Sequence, residues 1–135
     1  MITKEDIEAM VGSEYYSRPE KPSTFEDMVR QFSRTTGQKP VPSLYAALIQ
    51  EEFDEWRSEY LRDTKEPQLK ELADLLYVVY GYAYSMGWDV TEAFRRVHTN
   101  NVGRCFQDDG SVKRREDGKI IKNPGYPKVD LSDLV

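Results

Sequence analysis

The chain has 135 residues, of which 32% are charged and 39% hydrophobic, and its formal net charge is −5. This length suits one domain with a modest core; no stretch is apolar enough to span a membrane, and the negative charge argues against non-specific nucleic-acid binding. Cys105 and His98 are the only residues of their types, which excludes an internal disulfide and a Cys/His zinc site. The first ten residues carry acids and no apolar core, so we expect no signal peptide and a cytoplasmic protein.

The N-terminal half predicts two helices after an irregular arm, residues 1–22, that contains Gly and Pro. Ser23 with Glu26 forms a capping box, and apolar residues at helical spacing follow to about Thr36. Gly37 and the run of prolines after it end that helix. Ser43 is the predicted N-cap of the second helix, Leu44 to about Arg62.

Two more helices follow a short polar connection. The third has Pro67 in its first turn and reaches about Met86, where Gly87 is the predicted C-cap. Asp89 and Glu92 form a second capping box, and the fourth helix is predicted to end near Asn101.

The tail has a different pattern. Between Gly110 and Lys128 there are six Lys or Arg residues and two acids, and the Asp117-Gly118 pair predicts a hairpin turn. The last segment is too rich in Pro and Gly for a helix. We therefore predict one all-α domain over 1–135, a four- to five-helix bundle with a helical core at 23–104 and an irregular basic tail at 105–135 containing a short β-hairpin.

Two pairs of acids stand at helical i, i+3 spacing. On the second helix Glu52 falls within an apolar stripe and Glu55 lies one turn further along at its edge. On the third helix, which is apolar on all sides and predicted to be buried, Glu71 and Asp74 form the other pair. Antiparallel neighbours would bring the pairs face to face, and clustered carboxylates away from water need a cation. Hard oxygen ligands favour Mg²⁺ or Mn²⁺.

Two competing interpretations concern the same acids. An isolated EExxE run is commonly a solvated acidic face. A di-iron bundle also uses carboxylates on facing helices but needs Glu-x-x-His pairs, and here Arg95 stands three residues before His98. We therefore disfavour di-iron, and we expect a structural or surface role for His98.

The acids resemble the EExxE and ExxD signature of the all-α nucleoside triphosphate pyrophosphohydrolases, the MazG and HisE-like superfamily. The signature stands here as Glu51-Glu52-Phe53-Asp54-Glu55 and Glu71-Leu72-Ala73-Asp74. FEDMVRQFSRTTG is similar to the family's first helix, and VHTNNVGR with DGKIIKNPGYPKVDL is similar to the tail of small bacterial and phage members. The likeness covers about residues 25–131 and implies a MazG-like bundle.

The resemblance also implies roles for individual residues. Glu52, Glu55, Glu71 and Asp74 would bind Mg²⁺ or Mn²⁺, and the catalytic acids would be Glu51, Glu52 and Glu55. Phosphate and substrate contacts would come from Asn101, Arg104, Lys119, Lys122 and Tyr126. Base recognition would involve Phe32 and Ser33, with Tyr77, Tyr80 and Tyr84 as further candidates. Two positions depart from the family pattern, because Ser33 stands where histidine is expected and Arg104 where lysine is usual.

The implied reaction is metal-dependent hydrolysis of a (d)NTP to the monophosphate and pyrophosphate. We favour a purine deoxynucleotide such as dGTP, with phosphoribosyl-ATP as the alternative substrate. A different class is a non-catalytic helical oligomer whose acids bind a structural cation or a basic partner. The aromatic third helix is hard to cover with three neighbours, so we expect a homodimer or homotetramer.

Overall fold

The computed structural model describes residues 3, 5 and 24–135, and the chain divides after Trp88 into two compact units. The α-helices of the described part are α1 (Phe25–Thr36), α2 (Pro42–Leu61), α3 (Lys65–Met86) and α4 (Val90–Arg104). They are followed by strands β1 (Lys113–Arg114) and β2 (Ile120–Ile121) and a 3₁₀ helix, Ser132–Leu134. The all-α prediction is confirmed, whereas the predicted arm lies largely outside the described residues and the single domain stays a prediction. None of the described helices combines the length and apolar content that crossing a membrane requires.

The N-cap of helix α1 lies one residue later than predicted. The hydroxyl of Thr24 accepts a hydrogen bond from the Asp27 N–H at 3.1 Å, so Thr24 is the N-cap, while Ser23 lies outside the described residues. The helix ends as predicted at Gly37, whose φ of 72° is the left-handed conformation that glycine adopts at low cost.

Helix α2 begins at Pro42, and the prediction of Ser43 as its N-cap is wrong. Val41 holds the N-cap position with an extended backbone, and Pro42 occupies the first helical turn. A proline there has the helical φ already and lacks only an N–H that would have had no partner. The helix therefore begins at the proline rather than after the next serine.

Helices α2 and α3 pack side by side, and a short turn joins them. Thr64 closes that turn, because its hydroxyl donates to the Glu59 carboxylate at 2.5 Å and Asp63 adopts a φ of 57°. In the interface the Tyr45 ring, only 2% exposed, lies directly over Gly81. A Cβ at position 81 would overlap that ring, so the glycine allows the two helices to approach each other. The core around this contact also includes Val29, Val78 and Ala83.

Helix α3 is predicted to be buried with the help of a second copy, and within the described single chain it is covered on only part of its surface. Helix α1 packs on part of α3 and α2 on another part, but Leu69, Leu72 and Leu76 are 68%, 49% and 46% exposed. Apolar side chains around a whole helix need neighbours on every side, and among the described residues these leucines lack them. Gly87 is the C-cap as predicted, with a φ of 70°.

The second unit consists of α4 and the tail. Asp89 caps α4 by accepting from the Glu92 N–H at 3.0 Å, as predicted, but the helix ends at Arg104, three residues beyond the predicted end. The predicted hairpin is present: β1 pairs antiparallel with β2 in the register Lys113 to Ile121 and Arg114 to Ile120. The turn between the strands includes Gly118, which has a φ of 89°.

Candidate active site

Three of the predicted carboxylates converge where α2 faces α3. Glu52 and Glu55 lie one turn apart on α2, and Glu71 lies on α3. One oxygen from each lies within 4.8 Å of the others, and among the described residues no other group of acids, histidines or cysteines has such spacing. His98 is exposed and does not belong to the group. Three oxygens at this spacing could ligate one hard cation.

Burial and the neighbouring acids make the charged form of Glu52 unfavourable. The pKa of Glu52 is raised to about 7, first by burial, then by a hydrogen bond to Glu55 and its charge, and then by the charges of Asp74 and Glu71. The Oε2 atoms of Glu52 and Glu71 are buried and have no hydrogen-bond partner among the described residues. A buried carboxylate oxygen without a donor is costly, and a divalent cation would remove that cost. The donor set therefore fits a divalent metal.

The fourth predicted ligand, Asp74, is oriented differently. Its Oδ2 lies 2.6 Å from the Nζ of Lys70, one turn earlier on α3, and it does not belong to the converging group. Lys70 also reaches Glu71, at 3.5 Å. The sequence contained a signal for this pair, since Lys70 and Asp74 stand at i, i+4.

Glu51, predicted as a catalytic or auxiliary acid, is exposed on α2 and lies outside the converging group. Its neighbour Asp54 is also exposed, and its carboxylate accepts a hydrogen bond from the Gln50 amide at 3.0 Å. Position on α2 explains the difference, because consecutive residues of a helix point about 100° apart.

Aromatic residues line the contact between α1 and α3. Phe32 packs edge-on against Tyr77 with centroids 5.7 Å apart, and Phe25 packs in the same way against Tyr80 at 5.8 Å. A cleft of about 240 Å³ opens beside them, with apolar side chains and almost no polar surface. It is lined by Phe25, Met28, Val29, Ala73, Leu76, Tyr77 and Tyr80. Tyr77 follows Asp74 by one turn of α3, so an apolar surface suited to a base begins next to the acids.

Two other base candidates make structural contacts. Ser33 is buried, and its hydroxyl donates to the Gln38 carbonyl at 2.6 Å, which holds the chain just after α1. The Arg30 guanidinium lies over the Tyr84 ring, 5.6 Å from its centroid.

The remaining predicted residues belong to the second unit. Asn101, Lys119 and Lys122 are exposed, and the Nε of Arg104 is buried without a hydrogen-bond partner among the described residues. The Tyr126 ring packs against Gly103 of α4, where a Cβ would overlap it.

Sequence reasoning missed the residues that hold this tail together and attach it to α4. The buried Asn123 accepts from the Gly125 N–H and donates to the Phe106 carbonyl and the Asp108 carboxylate. Asn100, rather than its neighbour Asn101, donates to the Pro127 carbonyl at 2.8 Å. Arg96 joins Glu92 of its own helix to Asp133 near the end of the chain.

Residues 20–101 match the family model described as phosphoribosyl-ATP pyrophosphohydrolase. The chain belongs to this family. It is one of the MazG and HisE-like all-α NTP pyrophosphohydrolases, as the signature suggested, and these enzymes are hydrolases that act on a phosphoanhydride bond. No match was found among curated proteins.

Membership of the phosphoribosyl-ATP pyrophosphohydrolase family bears on the two units differently. Both acid pairs lie inside the matched residues, and the family generally uses a divalent metal, which the converging carboxylates fit. Arg104, Lys119, Lys122 and Tyr126 follow the matched residues. Their roles therefore rest on the likeness of the tail sequence alone.

Proposed function

We propose that the protein hydrolyses the bond between the α and β phosphates of a purine nucleoside triphosphate, releasing the monophosphate and pyrophosphate with the help of Mg²⁺ or Mn²⁺. The observation that carries the proposal is the convergence of Glu52, Glu55 and Glu71, two of which have buried oxygens without a hydrogen-bond partner in the described structure. In a pyrophosphohydrolase family, such a group is best explained as the metal site.

The chain's own residues would hold the metal and accept a proton. Glu52, Glu55 and Glu71 would be ligands, and Asp74 would join them after leaving Lys70. A divalent cation bound there would neutralise the phosphates and lower the pKa of an attacking water. As the water oxygen bonds to phosphorus and the bridging P–O bond breaks, Glu55 would accept the water proton and pyrophosphate would leave. The exposed Glu51 would keep an auxiliary role in placing a further ion or the water.

Two substrates satisfy this chemistry, and both contain a purine and a triphosphate chain. A deoxynucleotide such as dGTP is our first candidate. Phosphoribosyl-ATP is the second, and the description of the matching family model favours it directly. The aromatic cleft beside Phe32 and Tyr77 is apolar enough to stack a purine.

Phosphate contacts are proposed from the resemblance of the tail. Lys119 and Lys122 are exposed amines, and Arg104 has a buried Nε with no partner in the described part, so all three retain donors for phosphate. We also propose that Asn101 and Tyr126 contact the substrate, and that Ser33 contributes to base recognition.

We further propose that the protein is a cytoplasmic homodimer or homotetramer. The exposed Leu69, Leu72 and Leu76 on α3 form an apolar surface that a second copy could cover. Light scattering should give a mass of two or four chains at micromolar concentration. A stable monomer would contradict the proposal.

The first experiment is a measurement of pyrophosphate release from dNTPs, NTPs and phosphoribosyl-ATP with Mg²⁺ or Mn²⁺. Turnover of dGTP or of phosphoribosyl-ATP would identify the substrate. Melting that depends on Mg²⁺ without release from any nucleotide would instead support the structural cation site.

Glu52→Gln is the variant that tests the site, with Asp54→Asn as its matched control. Both changes remove one acid from α2, but only Glu52 belongs to the converging group. We expect Glu52→Gln to lower turnover by at least about a hundredfold, whereas Asp54→Asn should keep it within about twofold. A Glu52→Gln enzyme active to within a few-fold of the wild type would contradict the assignment.

A further inference from the structure

Lys70 is the one cation among the described residues that contacts the predicted metal ligands. Its Nζ lies 2.6 Å from Asp74 Oδ2 and 3.5 Å from Glu71 Oε1. Both acids are on its own helix, so these contacts depend on the geometry of α3 alone. A lysine in this position reduces the repulsion among the acids.

Asp74 shows the consequence of this contact. The oxygens of Glu52, Glu55 and Glu71 lie close enough together to share an ion, whereas the Asp74 carboxylate is paired with Lys70 and is not in their group. For Asp74 to act as a metal ligand, its carboxylate must turn toward the other acids, and this movement weakens its contact with Lys70. The ammonium group and the metal compete for one carboxylate.

We propose that Lys70 is a positioning residue that holds Asp74 in the metal-free protein and competes with the divalent cation for it. The inference rests on the proposed metal site and adds a residue that sets the affinity of that site. When the metal binds, the lysine moves to solvent, which is open to it because its side chain is 66% exposed.

The pair is weak enough to be displaced. Asp74 is itself 39% exposed, and solvent reduces the attraction between the two charges. The lysine also precedes the acid by four residues, the less favourable order for an ion pair along a helix. A divalent cation with several carboxylate ligands would win this competition at moderate concentration.

The test is a calorimetric titration of the protein with Mn²⁺, in the absence of nucleotide, for three variants. Lys70→Gln removes the competing charge, Lys70→Arg keeps it, and Lys65→Gln removes an exposed charge from the start of the same helix. We expect Lys70→Gln to bind Mn²⁺ about two- to fivefold more tightly, the size of effect expected for an exposed ion pair. The Mn²⁺ affinity of Lys70→Arg and Lys65→Gln should stay within about 1.5-fold of the wild type, because the first keeps the charge and the second removes a charge that solvent screens.

Thermal denaturation separates competition from ordinary helix stabilisation. Lys70→Gln should lower the melting temperature by about 1–4 °C in EDTA, and the loss should disappear in saturating Mn²⁺. A lysine that only stabilised the helix would produce the same loss in both conditions.

The outcomes distinguish the inference from the proposed function. If the wild type and Lys70→Gln bind Mn²⁺ with equal affinity, the inference about Lys70 is overturned and the metal site is not. An equal loss of melting temperature with and without Mn²⁺ would do the same. Wild-type protein that binds no Mn²⁺ would overturn both the metal site and the inference.

Discussion

The two units each place a helical glycine beneath a tyrosine ring, and the two contacts differ in how firmly the ring is held. In the first unit Gly81 lies under Tyr45, whose ring is 2% exposed and whose hydroxyl accepts a hydrogen bond from Gln38 at 3.1 Å. In the second unit Gly103 lies under Tyr126, which is 38% exposed and belongs to the tail. The first ring is confined by two packed helices, and the second can move into solvent.

This difference extends to the candidate residues of each unit. The acids of α2 and α3 are brought together by helix packing, and that packing holds them close despite their repulsion. The tail is instead held to α4 by hydrogen bonds of the Arg96 and Asn100 side chains and by the bond from the Asn123 N–H to the Arg104 carbonyl. Mutations in the first unit should therefore change the free energy of unfolding, and mutations in the second should increase the local mobility of the tail.

The largest expected effect is the pH dependence of the free energy of unfolding, measured with metal removed, which reports on Glu52 in the first unit. The pKa of Glu52 is about 7 in the folded protein against an ordinary 4.5, so the folded protein binds this proton more tightly than the unfolded chain does. That stabilisation is complete below the ordinary value and is lost as the pH rises through about 7. Between pH 5 and 7 the free energy of unfolding should fall by at most about 1.4 kcal/mol per pH unit on this account.

Urea denaturation in EDTA between pH 5 and 8 measures the free energy of unfolding of the wild type and of Glu52→Gln. The difference between the two proteins isolates the contribution of Glu52. The variant should lack this part of the decline and should be at least as stable as the wild type at pH 8. Parallel curves for the two proteins would show that burial and the neighbouring acids do not raise the pKa of Glu52 in the folded protein.

The second prediction uses the two glycines as a matched pair. Gly81→Ala should lower the free energy of unfolding by about 1–2 kcal/mol, because overlap with the confined Tyr45 ring outweighs the gain in helix propensity. Gly103→Ala should change it by less than about 0.5 kcal/mol, because Tyr126 can move away. Thermal denaturation of both variants measures the contrast, and equal losses would mean that the two rings are equally confined.

Much of the first unit could be predicted because helices repeat. The i, i+3 spacing and the apolar stripe placed Glu52 beside Glu55, and the expected antiparallel packing of α2 and α3 placed Glu71 opposite them. Gly87 marked the end of α3 by its backbone conformation. Periodicity shows which face of a helix is apolar but not what covers it. The sequence therefore predicted that α3 is hard to cover with three neighbours, but not that Leu69, Leu72 and Leu76 would be the exposed side chains.

The details that escaped prediction depend on contacts that spacing does not decide. Lys70 and Asp74 stand at i, i+4, but this spacing does not show whether the carboxylate pairs with the lysine or joins the other acids. Asn123 bonds to residues 15 and 17 positions earlier, and no motif connects an asparagine to a carboxylate and a carbonyl at those distances. The tail could therefore be recognised by resemblance, whereas its attachment to α4 became apparent only in the structure.

The smallest expected effect distinguishes, within the second unit, a residue that holds the tail in place from a residue proposed to contact the substrate. Asn123→Ala removes donors to Phe106 and Asp108 and an acceptor for the Gly125 N–H, which should cost about 1 kcal/mol and loosen the tail. Asn101→Ala changes an exposed side chain on α4 and should leave stability unchanged while lowering turnover, if Asn101 contacts the substrate. Hydrogen exchange should rise in residues 105–126 of Asn123→Ala only, with residues 24–88 unaffected. Faster exchange throughout 24–88 would mean that the hydrogen bonds of Asn123 support the helices of the first unit as well as the tail.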